Sequence, residues 1–236
     1  MTSSESYIIL AVIAVLALVA LVHLLSPMSL LDDITVRGTQ IRERVWDLLE
    51  RHAYPDDERH TWVEGSLSVA LEHHEAISLL IKRQLNGSAF ALVRPMVETV
   101  VRAHWINAVA SDEQVAQARR DDKNAFPSMS KMSEAVDKVY GATELFRQFT
   151  SAWDAMCSYT HSGARQIALR FTGTELKPRY CEGAKVEVLH HTNVALLFLA
   201  GMFFVSTGHQ PEAAETRTLL LDYATAFGER IVAASR

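Results

Sequence analysis

An all-α fold, a helical bundle of six to eight helices behind one N-terminal transmembrane helix, is what the sequence predicts, on three observations. Tyr7 to Leu25 (YIILAVIAVLALVALVHLL) is an apolar run without Asp, Glu, Lys, Arg or Pro. Beyond Pro27 apolar residues recur at spacings of three, four and seven, and no strand-like alternation survives. The chain has 236 residues, 49% of them hydrophobic, enough for one mid-sized core plus an extension. The expected division is residues 1–26, carrying the span, and a helical domain over 27–236.

The apolar run approaches the ~20 residues that cross a ~30 Å hydrocarbon layer. A cleaved signal fits less well, because no Lys or Arg precedes the run and HLLSPMS is a poor cleavage site. The flank MTSSES carries no cation, whereas Arg37, Arg42 and Arg44 follow the run, so the positive-inside rule places residues 27–236 in the cytoplasm of a single-pass cell-membrane protein.

Asp32 or Asp33 can cap a first helix through about His52, with Ile34, Ile41, Val45, Leu48 and Leu49 on one face. Pro55-Asp56-Asp57 breaks it, and a second helix is expected from about Glu58 to Leu85, ending at Asn86-Gly87. Ser88 can cap a third helix to about Ala110, apolar nearly all round and so suited to the bundle centre. Pro95 inside it should kink it or start a fresh segment. Ser111-Asp112-Glu113 caps a short polar helix to about Lys123, and Ser128 or Ser130 opens another that ends near Gly141. A sixth helix is expected over about Thr143–Phe171, with TELKPRYCEG (174–183) as the longest loop. Two helices, about Ala184–Thr207 and Pro211–Ala234, close the chain; the apolar stretch LLFLAGMFFV in the first is short for a second span and reads as core.

Charge narrows the function. With 23 Lys and Arg against 28 Asp and Glu, the net charge is −5, which argues against a broad nucleic-acid surface but not against a small anion pocket. Cys157 and Cys181 are too few for a disulfide framework.

Two stripes could carry chemistry. On the third helix Arg94, Glu98 and Arg102 recur every four residues and form one charged line on an apolar cylinder. Burying such charges is costly unless they are paired, so they need partners from a neighbouring helix or a ligand. On the sixth, Asp154, Ser158, His161 and Arg165 line the edge of the apolar face formed by Trp153, Met156 and Cys157, with Tyr159 beside them. If the two helices pack together, Arg94, Arg102 and Arg165 surround an anionic group, Glu98 orients an arginine, and His161 serves as acid or base. On this reading His161, Arg165 and Glu98 are the candidate catalytic residues. Arg94, Arg102, Asp154, Ser158 and Tyr159 are the ligand-binding ones, with a phosphate-bearing ligand or RNA as partner. A histidine in this role needs no metal or cofactor. The alternative is a non-catalytic module in which the same stripes set helix register or a homodimer interface.

RPMVE (94–98), FPSM (126–129), WDAMCSYTHSGARQ (153–166), Arg170-Phe171-Thr172 and ELKPRY (175–180) resemble an uncharacterised bacterial family, a helical domain of unknown function with W-x-A-M-x-S/G-Y-T-H-x-G near its centre. The likeness covers roughly Ser66 to Thr207 and leaves the apolar run outside. More distantly the chain resembles the HEPN superfamily, whose active members are metal-independent ribonucleases of toxin and defence systems. Those place four to six residues between Arg and the His that follows it. Here Arg44 and His52 have seven residues between them, and His161 precedes Arg165.

Other motifs are discounted on ligand count. Glu187-x-x-His190 is one E-x-x-H where a di-metal bundle needs two, and Ser128-x-x-Lys131 lacks the companion motifs of acyl-enzymes.

Overall fold

The computed structural model describes residues 29–120, 125–141, 146, 150 and 152–234. The expected span Tyr7–Leu25 lies outside them. Among the described residues there are nine helices and no strand, only a single bridge between Thr172 and Glu175. They are α1 Leu30–Leu49, α2 Glu58–Lys82, α3 Asn86–Ala108, α4 Asp112–Arg120, α5 Met129–Tyr140, α6 Trp153–Thr160, α7 Ala164–Ala168, α8 Glu182–Ser206 and α9 Gln210–Ala234.

The bundle is built on two helix pairs, α2 with α3 and α8 with α9, and α8 also packs on α1, α2 and α3. α8 is long and apolar enough to cross a membrane by length and composition alone. It buries Leu196, Leu199, Phe203 and Phe204 completely among its neighbours, as expected of a core helix. α3 buries Val93, Met96, Val97, Val100, Val101 and Trp105, the central role read from its all-round hydrophobicity.

Several boundaries differ from expectation, each for a local reason. α1 is capped by Ser29, whose Oγ accepts from the Asp32 amide at 3.1 Å; Asp32 and Asp33 sit in its first turn instead. Asn86-Gly87 does not stop α2 but opens α3, after Gln84 turns the chain at φ 59°. Pro95 does not interrupt α3, which runs continuously over Asn86–Ala108. Ser111 caps α4 as read: its Oγ accepts from the Gln114 amide, and Gln114 Oε1 accepts from the Ser111 amide. Gly141 ends α5 at φ 62°.

The largest departure is the sixth expected helix. It breaks after Thr160, where Ser162 takes φ 53° and Gly163 is extended before α7 starts. Ser158 causes the break to hold. Its Oγ accepts from the Arg165 amide at 3.1 Å, capping α7, while its carbonyl accepts from the Gly163 amide at 2.6 Å. Only glycine fits at 163, because a Cβ there would lie 2.6 Å from Ser158 Oγ and 3.0 Å from Ser158 Cα.

Candidate functional site

α6 lies along one face of α3, and α6 and α7 are tied to α3 by polar contacts at carbonyls one turn apart. The Thr160 hydroxyl donates to the Ala91 carbonyl at 3.1 Å, and Gln166 Nε2 donates to the Gly87 carbonyl at 3.0 Å. Between these ties and the Trp153 end of α6 lies the charged line of α3. Arg94 Nη1 donates to His161 Nε2 at 2.5 Å, and the Arg94 guanidinium also lies 4.8 Å from the centroid of the Trp153 ring. Since arginine can only donate, His161 Nε2 is the acceptor, and its remaining proton sits on Nδ1.

Glu98 lies between the two arginines. Its Oε1 is 2.8 Å from Arg102 Nη2, and its Oε2 is 3.9 Å from Arg94 Nε. Arg102 in turn stacks over Phe126 at 4.5 Å. The side chains of Arg94, Glu98 and Arg102 are 21%, 26% and 28% exposed, so the cluster sits at the rim of the core with one face open to solvent. Aromatic faces shield the guanidinium groups from water without neutralising them. Among the described residues, Glu98 is the carboxylate placed between the two cations.

The structure therefore unites four expected site residues: Arg94, Glu98, Arg102 and His161. The other four are placed differently. Ser158 is a cap rather than a ligand contact. Asp154 is exposed on the outer side of α6. Tyr159 packs edge-on against Phe90 with ring centroids 5.3 Å apart, and burial raises its hydroxyl above the usual phenol range. Arg165 starts a new helix beyond the break, where its charge falls on Tyr159. The reading of Asp154, Ser158, His161 and Arg165 as one edge of one helix does not survive the break at Ser162-Gly163.

Two features were not read from sequence as parts of the site. Trp153 packs against the core as expected and is also the aromatic wall of Arg94. Its indole-to-arginine pairing joins separate helices, so no local spacing announces it. Arg170 and Tyr180, quoted above only within short motifs, converge on the first turn of α3: a Cβ at Gly87 would lie 2.5 Å from Arg170 Nη2 and 2.9 Å from Tyr180 Oη. Phe90 completes this corner, 5.2 Å from the Tyr180 ring.

Among the described residues no group of three or more His, Cys, Asp or Glu side chains could hold a metal. His190, of the discounted E-x-x-H motif, instead bonds the Tyr223 hydroxyl at 3.1 Å. No curated protein and no solved structure matches the chain. The profile of a family of unknown function, DUF6988, matches residues 67–229, a stretch that contains the α3–α6 seam with its Arg94–His161 contact, and the chain belongs to that family.

Proposed function

We propose that this is a membrane-tethered helical domain, anchored by Tyr7–Leu25 with residues 27–236 in the cytoplasm, whose α3–α6 seam binds a phosphate-bearing anion. The observation that carries this reading is the Arg94–His161 contact: a guanidinium, a second arginine and an imidazole share one solvent-open rim around Glu98. An incoming phosphate would take the Arg94 donor now held by His161 Nε2, because charge-assisted bonds to an anion are stronger than a bond to neutral imidazole. The imidazole so released is free to act as acid or base. The distant HEPN likeness points to RNA as the ligand and to metal-independent cleavage as the reaction.

The full chain in nanodiscs tests this with two probes, inorganic phosphate and a short RNA. Saturating phosphate at about 100 times Kd should stabilise the wild type by ~2.7 kcal/mol and leave Arg94→Lys unaffected. RNA cleavage should fall by ~10²-fold or more in His161→Gln. Equal cleavage in both, or none in either, rejects the nuclease reading; the absence of a phosphate effect rejects the site.

A second reading has its own support. Arg94, Glu98, Arg102 and His161 all have partners within the chain, so the seam already holds α6 to α3 without a ligand. On that reading the domain is a non-catalytic interaction module whose polar stripes fix helix register or a homodimer interface. It predicts a loss of stability in Glu98→Gln with no change in phosphate response.

A further inference from the structure

The ends of α3 and α5 and the facing halves of α8 and α9 line an open cavity of about 960 Å³ that shares no lining residue with the α3–α6 seam. This is the upper part of the size range of small-molecule sites. Its walls are mostly apolar. α8 contributes Gly201, Met202 and Val205 and α9 contributes Leu221, and Val205 and Leu221 are 57% and 56% exposed. A concave, mostly apolar wall of this kind with a few polar groups is the usual form of a small-molecule site.

Two polar features select the occupant. Among the described residues Arg217, which is exposed, is the only charged side chain lining the cavity, and it makes no ion pair or hydrogen bond. His104 also lines the cavity, at the C-terminal end of α3, and is 2% exposed. Its Nδ1 is 3.3 Å from the Tyr140 hydroxyl, which Asn107 also bonds, while its Nε2 is buried without a hydrogen-bond partner. Burial holds this imidazole neutral, down at about 3, so it adds a hydrogen-bonding group and no second charge.

We infer that this cavity binds a single-chain amphiphile with one anionic carboxylate, the tail along the apolar walls and the headgroup at Arg217. The α8 wall runs from Leu197 to Ser206, about 14 Å at 1.5 Å per residue, which suits a medium-length acyl chain. The bilayer itself is not the occupant. Arg230, near the end of α9, pairs with Asp33 at the start of α1, so the expected anchor enters at the opposite end of α9 from the cavity.

Photolabelling of the full chain in nanodiscs with a diazirine-bearing dodecanoic acid tests the assignment, with labelled peptides mapped by mass spectrometry. Labels should fall on α8 and α9, and dodecanoate should compete at least tenfold better than dodecanol. Arg217→Gln should abolish that preference. Gly201→Leu should abolish labelling by filling the cavity, where a Cβ meets only Thr216 Cγ2 at 3.7 Å, and circular dichroism should show the helices intact. Labels absent from α8 and α9, or equal competition by acid and alcohol in the wild type, would overturn the assignment. So would displacement of the acid by anionic phospholipid in the nanodisc, or crosslinking of the α8–α9 face to a second copy that excludes it.

Discussion

Arg94 divides one guanidinium among His161, Glu98 and the Trp153 ring, and each neighbour limits where the others can sit. Glu98 is the residue on which both arginines depend. Glu98→Gln keeps the shape and removes the carboxylate charge that pairs with both partly buried arginines, and should cost ~1–3 kcal/mol in urea denaturation. Two glycines make an opposite pair. Gly163→Ala drives a Cβ to 3.0 Å from the Ser158 Cα, which cannot move aside as a side chain could, and should cost ~1–3 kcal/mol. Gly65, within α2, would meet nothing within 4 Å, so Gly65→Ala should stabilise by ~0.5–1 kcal/mol through better helix propensity. If both substitutions behave alike, the tight turn at Gly163 is not what ends α6.

Between elements, a buried polar chain holds the helix pairs in register. His74 on α2 donates through Nε2 to Asn193 Oδ1 on α8 at 2.6 Å; Asn193 Nδ2 donates to the Tyr223 hydroxyl on α9 at 3.3 Å and lies 3.5 Å from the Ile34 carbonyl on α1. Gly38 on α1 permits the approach, since a Cβ there would lie 2.6 Å from Asn193 Oδ1. Burial holds the His74 imidazole down at about 4 and that of His104 at about 3. Above pH 6.5 both are neutral whether the chain is folded or not, and they give no pH dependence. As pH falls below 6.5 the unfolded chain takes up protons that the folded one refuses, so stability drops, by up to ~1.4 kcal/mol per pH unit for each histidine, until the folded-state values near 4 and 3 are reached. Urea midpoints measured from pH 7.5 to 4.5 should show this slope, reduced by about half in His104→Phe; a flat profile would mean that neither ring is kept neutral.

For the molecule as a whole, helix type was legible because amphipathic spacing and all-round apolarity are properties of each segment alone, whereas the expected six to eight helices are nine among the described residues. α8 was read as core rather than span on the length of its apolar stretch, and its burial agrees. The proposed membrane topology rests on the same local grounds: reporters fused to either end of the full chain should place the C-terminus in the cytoplasm, and an extracytoplasmic C-terminus would reverse the orientation. The site was legible only in part. The four-residue recurrence of Arg94, Glu98 and Arg102 marked one wall, and the group around His161 marked the other. Which members would meet was not readable, because Ser158 and Gly163 must pack together before the chain turns at Ser162 and carries Arg165 out of line with His161. By itself the sequence determined the helical class, the central place of α3 and α8, and the charged stripe, since each follows from side chains at fixed spacing on one helix. Only the tertiary structure decided that His161 reaches Arg94, that Trp153 is its aromatic wall and that Arg217 and His104 share a cavity. These are meetings between segments distant in the chain, and their geometry is set by how whole helices pack rather than by any local pattern.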